Sequence, residues 1–386
     1  MRPLTVVVVE ASAGGVVGGS LTATADLLGA LDRRRFTPLR VRFAVTSVGA
    51  SLPDIPLRVV DRVPRRAEPR SPLRVLRGIE RMTSLVSTTL PRARALAAVF
   101  RAERADVVYV ANGIHPNLDA VLAAGWCGVP VVCHHRSFRR VGFAERRASR
   151  HVHTAVGVTD EIVAYYRARG VRASRFVTIP DAIACDRIRP GGGAAVRRAL
   201  GIPVDAPLVD MVGNVQPWKG QHLGVDAVAR ARRVLPALRC LLVGGVHRTG
   251  TAYAAALRRR LDEPDVAGAI VWPGARADAP ACFDAMDVVL HASVAPEPFG
   301  RVLIEAMAVG RPVIAPREGG PREIVVHGQT GLLVAPRDAA GLADAIVSLV
   351  QDDAYWAAHR DRRDDAVTPP GASDERFRCR ALGYVE

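Results

Sequence analysis

The chain has 386 residues, of which 49% are hydrophobic and 24% are charged. This balance excludes a disordered, collagen-like or coiled-coil protein, and the length predicts two domains that can each bury a core. The net charge of +15 is uneven, because residues 1–200 hold 32 basic and 15 acidic side chains while residues 201–386 hold 21 and 23. A basic excess of this size in one half indicates an anionic partner or surface. The alternative explanation is that the charge only keeps the protein soluble.

Short β-branched runs alternate with amphipathic stretches along the whole chain. The strands predicted in the first half are residues 4–9, 39–45, 107–110, 129–133, 155–158 and 176–179, with helices such as 20–31 and 160–169 between them. The strands predicted in the second half are residues 208–212, 238–243, 270–272, 288–291, 313–315 and 332–334, with helices at 220–235, 252–261, 301–309 and 339–350. Both faces of these strands are apolar, as in parallel sheets covered by helices. The pattern predicts an α/β protein of two Rossmann-like, doubly wound domains.

A Pro-Gly-Gly-Gly run at residues 190–193 predicts a hinge between the two domains. The predicted domains are residues 1–189 and residues 190–364, with a charged tail at 365–386 that could pack back on the first. Ligands of doubly wound sheets bind beyond the carboxyl ends of the strands. We therefore expect the ligand in a cleft between the domains.

Two glutamates in the second half combine with a predicted helix start. Glu297 precedes the turn Pro298-Phe299-Gly300, and Glu305 falls about one turn inside a helix that should begin near Arg301. The unpaired N–H groups of a helix start favour a phosphate, and carboxylates beside them can accept hydrogen bonds from ribose or sugar hydroxyls. Spacing alone equally allows a helix-capping charge and a surface glutamate.

The sequence motifs of this region resemble those of a known enzyme family. The segments that carry the resemblance are EPFG at 297–300, EAMA at 305–308, Gly319-Gly320, VGNVQPWKGQHLGVDAVARA at 212–231 and IPDAIACDRIRP at 179–190. They are similar to the family 4 retaining glycosyltransferases, closely over residues 179–345 and weakly over residues 1–150. The resemblance implies the GT-B fold, with an acceptor-binding first domain and a donor-binding second domain. It also implies a nucleoside diphosphate sugar as co-substrate, with UDP favoured, and no metal or other cofactor.

The resemblance assigns roles within the donor domain. Glu297 would contact the hydroxyls of the transferred sugar, Glu305 the ribose, and Lys219 the diphosphate, so that Glu297 and Lys219 are the expected catalytic residues. The remaining expected donor-binding residues are Gly213, Asn214, Gly274, Phe299, Gly300, Arg301 and Val302. The family commonly has arginine where this chain has Asn214, and the expected substitute is either Arg301 or Arg276.

Lysine usage supports the diphosphate role independently. Of the 53 basic side chains, Lys219 is the single lysine and the other 52 are arginine. A compact ammonium approaches a diphosphate as a point charge where a forked guanidinium does not fit. A coincidence of one residue is the alternative.

The first domain carries weaker signals. Gly18-Gly19 lies between the first strand and a helix, where glycine permits close approach to a donor phosphate. His134-His135-Arg136 ends a predicted strand, and there the resemblance implies a catalytic role for His134 and acceptor binding by His135 and Arg136. Structural hydrogen bonding by these histidines is the equal alternative.

Composition bears on partners and location. The arginine-rich stretch 58–104 could attract anionic lipid and a lipid-linked acceptor, or be a solvated face. Aromatic residues are only 5%, so nucleic acid is not an expected partner. The six cysteines are scattered without a CxxC pair, which indicates a cytoplasmic protein, with peripheral contact to the inner membrane face left open.

Two other functions fit the same fold. A nucleotide-sugar epimerase would share the two domains, and a sugar-nucleotide-binding protein without activity would retain the site but lose the chemistry. The Glu297-to-Glu305 spacing, together with the sequence that flanks it, favours a transferase that acts on a small-molecule, glycan or lipid-linked hydroxyl.

Overall fold

A computed structural model of the chain describes residues 2–9, 19–43, 54–60, 74–183, 192–247, 250–276 and 278–352. The predicted tail 365–386, Gly18 and residues 190–191 lie outside these ranges. The chain divides into two compact units between Pro180 and Asp181, a few residues before the boundary predicted at 189. They are called the N-terminal and C-terminal units below.

The N-terminal unit is built on a parallel sheet of seven strands. The strands are β1 Leu4–Val9, β2 Phe36–Phe43, β3 Leu57–Val60, β4 Val107–Ala111, β5 Val131–His135, β6 Val152–Gly157 and β7 Ala173–Thr178, in the order β3-β2-β1-β4-β5-β6-β7. The helices are α1 Gly19–Ala30, α2 Arg74–Ser84, α3 Leu90–Ala102, α4 Leu118–Cys127, α5 Phe143–Ala148 and α6 Asp160–Ala168. A π-helical turn, Leu85–Thr89, joins α2 to α3.

The C-terminal unit repeats the plan with six parallel strands. They are β8 Leu208–Val212, β9 Arg239–Val243, β10 Ile270–Gly274, β11 Val288–Leu290, β12 Val313–Pro316 and β13 Gly331–Val334, in the order β10-β9-β8-β11-β12-β13. The helices are α7 Gly193–Ala199, α8 Gln221–Ala231, α9 Thr251–Leu261, α10 Ala279–Ala285, α11 Arg301–Ala308, α12 Pro321–Ile324 and α13 Ala339–Gln351.

Apolar packing on both faces explains why the strands of the C-terminal unit are almost wholly hydrophobic. Along β9, Cys240 and Leu242 belong to one buried cluster with residues of α8, α9 and α13. Leu241 and Val243 belong to another cluster with residues of α7, α10 and α11. A strand between two helix layers has no solvent face, so it lacks the polar alternation of a one-sided sheet.

The predicted elements agree with these strands and helices to within a few residues. In the C-terminal unit, the short helices α7, α10 and α12 were not predicted. In the N-terminal unit, β3 was not predicted. It is an edge strand with Arg58 and Val59 exposed, so its sequence lacks the continuous apolar run of a central strand.

Part of the predicted hinge is held against the C-terminal unit. Gly193 begins α7, and its amide donates to the carboxylate of Asp284 at 3.0 Å. A β-carbon at Gly193 would lie 2.6 Å from the carbonyl carbon of Asp284, so only glycine fits there. These contacts hold the C-terminal end of the 190–193 run, Gly193, against Asp284.

Each sheet reverses its strand order at one place. The neighbours there are β1 and β4 in one sheet and β8 and β11 in the other. At such a switch point the connections leave toward opposite sides and open a crevice beyond the carboxyl ends of the strands. The segments after β8 and β11 carry Lys219 and Glu297.

Candidate active site

Lys219 is held in a short turn after β8. Pro217–Lys219 form one turn of 3-10 helix, and Gly220 follows in the left-handed conformation with φ of 67°. A β-carbon at Gly220 would overlap the carbonyl oxygen of Ala292, so glycine is needed for this close approach. The amide of Val294 donates to the carbonyl of Trp218 at 2.9 Å. The turn after β8 is thereby fastened to the segment that leads to Glu297.

Glu297 accepts two hydrogen bonds on one oxygen. Its Oε2 lies 2.5 Å from Nζ of Lys219 and 3.0 Å from Nε2 of His291. Glu297 is buried at 8% exposure and His291 at 5%. The ammonium also lies 4.3 Å from the ring centre of Trp218, which adds a cation–π contact.

The pKa of Glu297 follows from this arrangement. Burial raises the pKa of the carboxyl, but the charge of Lys219 and the hydrogen bond from His291 outweigh it and lower the value to about 2. Glu297 is therefore an ionised acceptor at physiological pH.

A pair of glycines supports the segment that carries Glu297. The amide of Gly320 donates to the carbonyl of Glu297 at 2.7 Å. A β-carbon at Gly319 would overlap the carbonyl of Glu297, and one at Gly320 would overlap that of Phe299. Glycine at both positions lets this backbone approach that of the Glu297 segment closely enough for the Gly320 hydrogen bond.

Helix α11 begins directly after this segment. Gly300 precedes it with φ of 102°, Phe299 is buried, and Val302 packs against the cluster under α11. Glu305 lies in the second turn, where its Oε1 is 3.7 Å from Nε of Arg301. Arg301 also donates from Nη1 to the carbonyl of Ala182 at 2.8 Å. Glu305 is thus paired with Arg301, while Glu297 is paired with Lys219.

Other residues predicted to bind the sugar donor lie at the carboxyl ends of β8 and β10. The amide of Gly213 donates to Val243 at 2.9 Å, and the carbonyl of Asn214 accepts from the side chain of Gln221 at 3.1 Å. Gly274 ends β10 with φ of 91°. Arg276, one proposed substitute for the arginine missing at Asn214, instead forms a two-point ion pair with Asp278 on the exposed surface.

The N-terminal unit gathers its predicted residues at the end of β5. His134 is buried, and its Nδ1 lies 2.8 Å from the hydroxyl of Tyr109. Arg136 donates to the same hydroxyl at 3.2 Å. His135 stacks on Tyr166 with ring centres 3.7 Å apart.

Both histidines are neutral at physiological pH. Burial lowers the pKa of His135 to about 3. Burial, with the nearby charge of Arg136, lowers the pKa of His134 well below its usual value. The cationic group of this cluster is therefore Arg136. Gly19 begins α1, and its partner in the predicted phosphate turn, Gly18, lies outside the described residues.

Comparison with known proteins gives a family match within the C-terminal unit. Residues 206–352 match the family described as glycosyl transferases group 1. Residues 206–352 are a group 1 glycosyltransferase domain. The predicted resemblance to the family 4 glycosyltransferases is confirmed.

A curated relative of this glycosyltransferase domain is the D-inositol 3-phosphate glycosyltransferase of Mycolicibacterium paratuberculosis, 36% identical over 191 residues. The match covers 49% of this chain and 42% of the relative, so the chain spans less than half the length of that protein.

Solved structures confirm the predicted GT-B type of fold. The Alr3699/HepE protein of Anabaena, in complex with UDP and glucose, has a TM-score of 0.76 and 24% identity, and the match covers 94% of each chain. The sucrose-phosphate synthase of Thermosynechococcus elongatus has a TM-score of 0.74 and 20% identity, covering 99% of this chain and 97% of that one.

The described residues show neither a metal-binding cluster nor a membrane-spanning helix. Within the described ranges, no group of three or more histidine, cysteine, aspartate or glutamate side chains is arranged to hold a metal ion. The helices in those ranges include none with the length and hydropathy to span a membrane.

Two residues of the glycosyltransferase domain were not predicted from the sequence. His291 was assigned only to a strand, but β11 ends at Leu290 and the imidazole contacts Glu297. Gln221 was counted as an ordinary helix residue, but its side chain bonds the carbonyl of Asn214. A histidine at the carboxyl end of a strand beside the switch point is the signal that could have found the first.

Proposed function

We propose that the protein is a retaining glycosyltransferase that transfers a sugar, with UDP-glucose the favoured donor, to a hydroxyl group of an acceptor. The observation that carries this proposal is the Lys219–Glu297 pair at the switch point of the C-terminal unit, inside a group 1 glycosyltransferase domain. The UDP and glucose bound by the Anabaena structural neighbour support the choice of donor.

The chemistry needs a group that neutralises the leaving diphosphate. The bond between the anomeric carbon and a diphosphate oxygen breaks with its electron pair on that oxygen, and a bond forms between the anomeric carbon and the acceptor oxygen. The proton of the acceptor hydroxyl would pass to the departing diphosphate. Lys219 would turn from Glu297 to the diphosphate and stabilise its developing charge, which is the electrostatic contribution expected of a preorganised cation. Glu297, once released, would orient the sugar hydroxyls and offset positive charge on the ring. With Lys219 in this role, the reaction is expected to need no metal.

The remaining roles are part of the proposal. Glu305 would accept hydrogen bonds from the ribose, and the backbone from Phe299 to Val302 would donate to the sugar or phosphates. Arg301 is the better candidate for the missing arginine, because it begins α11 directly after the Glu297 segment, whereas Arg276 pairs with Asp278 on the exposed surface. His134, His135 and Arg136 would serve the acceptor side.

One assay tests the proposal against its alternatives. The protein is incubated with labelled UDP-glucose and a panel of hydroxyl acceptors, and UDP, product and remaining donor are separated. UDP release with a product of unchanged anomeric configuration supports retaining transfer. A changed sugar on intact nucleotide indicates an epimerase, and an unchanged donor indicates a binding protein.

We also propose that the acceptor side contacts anionic lipid at the inner face of the membrane. Leu76, Ile79 and Met82 of α2 are 46%, 55% and 63% exposed, and Val86 in the next turn is 61% exposed. The sequence of α2 also contains arginines at 74, 77 and 81. A helix that exposes apolar side chains and has several arginines in its sequence is complementary to a surface of acyl chains and anionic headgroups.

Vesicle sedimentation tests this contact. We expect binding to vesicles containing phosphatidylglycerol and weaker binding to phosphatidylcholine alone, with loss in Ile79→Glu. Val234, which is 58% exposed in the C-terminal unit, gives the matched control Val234→Glu. Equal binding of both variants, or no binding of the unmodified protein, would exclude the lipid contact.

A further inference from the structure

Two donors from different segments share one oxygen of Glu297. Lys219 reaches Oε2 from the turn after β8, and His291 reaches it from the end of β11. In the proposed function Lys219 leaves this oxygen to engage the diphosphate. The His291 hydrogen bond then becomes the contact that keeps the carboxylate in place.

The backbone of His291 is hydrogen-bonded to the sheet. This histidine is the first residue after β11, and its amide donates to the carbonyl of Ile314 in β12 at 2.8 Å. The residue is 5% exposed. A group carried by a strand end holds its position better than one on a free loop.

His291 and Gln221 both line one small cavity, and each has a buried polar atom without a hydrogen-bond partner among the described residues. Nδ1 of His291 and Oε1 of Gln221 are buried and have no hydrogen-bond partner in the part of the chain that the structure describes. Both residues line one cavity of about 20 Å³, together with Lys219. This is enough for one water molecule, whose two hydrogens could serve both atoms.

This water would connect His291 to Gln221, the first residue of α8. Gln221 donates from its amide to the carbonyl of Asn214 at 3.1 Å, so its orientation is fixed from the other side. The imidazole would be held at both nitrogens, with Nε2 directed at Glu297.

We propose that His291 is a positioning residue that holds Glu297 in its working orientation while Lys219 binds the diphosphate. The inference rests on the proposed function. His291 touches neither donor nor acceptor in this scheme, so its loss should lower turnover and leave nucleotide affinity intact.

Two substitutions of this histidine form the test. His291→Leu replaces the imidazole by an apolar side chain that has no hydrogen-bond donor, and His291→Gln supplies an amide N–H in place of that of Nε2. We measure kcat and KM with UDP-glucose, the calorimetric Kd for UDP, and the melting temperature. Loss of a hydrogen bond to a charged group corresponds to a fall of about 10-fold to 100-fold in kcat for His291→Leu. The Kd for UDP should change less than about twofold on that scale, and His291→Gln should recover most of kcat.

Other results would overturn the proposal. Wild-type kcat in His291→Leu excludes positioning. Equal losses in both variants that follow the melting temperature indicate a purely structural histidine.

A measurement that needs no activity separates this inference from the proposed function. Carbon-13 NMR titration of the Glu297 carboxyl should show a higher midpoint in His291→Leu than in the unmodified protein, because a donor to the ionised form is lost. An unchanged midpoint overturns the positioning role even if the enzyme is active. If the midpoint shifts in His291→Leu but the unmodified protein releases no UDP from UDP-glucose, the contact between His291 and Glu297 is supported and the transferase proposal is rejected.

Discussion

The ends of the two sheets carry different kinds of polar group. In the C-terminal unit an ammonium and an ionised carboxylate, Lys219 and Glu297, lie 2.5 Å apart beside the switch point. In the N-terminal unit the residues at the end of β5 are two neutral histidines and the guanidinium of Arg136. A charged pair can exchange partners with a charged ligand, whereas buried neutral imidazoles can only donate, accept or stack. The comparison is consistent with the proposed function, in which the C-terminal unit binds the diphosphate and the N-terminal unit binds the acceptor.

Removing the carboxylate should have the largest effect. Glu297→Gln keeps the shape but ends the ion pair, and we expect turnover to fall by about 10²-fold to 10⁴-fold, the range for loss of a group that acts on the reacting centre. UDP affinity should survive, because Lys219 remains. UDP release and calorimetry measure the two quantities. The matching change in the other unit, His135→Gln, should cost less, and the reverse order would contradict the comparison.

Removing the ammonium should weaken nucleotide binding. Lys219→Ala loses a charged hydrogen bond to the diphosphate, worth about 1.5–3 kcal/mol, so the Kd for UDP should rise by about 10-fold to 150-fold. Calorimetry with UDP and uridine checks this, since uridine lacks the phosphates and should lose no affinity. Lys219→Arg should restore only part, because the fork does not approach as a point charge. Equal UDP affinity in Lys219→Ala would remove the assigned role.

The glycine support under Glu297 should be sensitive to one methyl group. A β-carbon in Gly320→Ala would meet the backbone of Phe299 and displace the Glu297 segment, with a fall in kcat of about tenfold or more. Gly29→Ala in α1 is the control, since nothing lies within 4 Å of its added carbon. That helix substitution should leave kcat unchanged. Matching losses in the two variants would mean that the Gly320 contact has no special role.

The smallest expected effect is on stability and arises in β8. Asp210 is fully buried, and burial raises the pKa of its carboxyl well above the ordinary value, against a smaller opposing effect of the Met211 and Val243 amides. The folded chain keeps a proton that the unfolded chain releases, so this group lowers the free energy of unfolding as pH rises above about 4. Asp210→Asn cannot release a proton, and its advantage over wild type should grow with pH.

Urea unfolding of both proteins between pH 5 and pH 8 measures that difference. Parallel stability curves would show that Asp210 does not retain its proton in the folded state.

Several features followed from the sequence alone. Continuous apolar runs specified the central strands, because a strand between two helix layers has only apolar neighbours. The sequence motifs around Glu297, Lys219 and Gly319-Gly320 predicted the family resemblance. The single lysine marked its position without any coordinates, because composition made it stand out among 52 arginines.

Other features depended on the tertiary structure. Glu297 pairs with Lys219, 78 positions away in sequence, and Glu305 with Arg301 within one helix. No local pattern separates these two glutamates, since both lie in one motif. The contact of His291 with Glu297 and the fit of Gly319-Gly320 beneath the segment also arise only when β8, β11 and β12 lie side by side. Local sequence sets which strands form, but the register of parallel strands sets which loop ends meet.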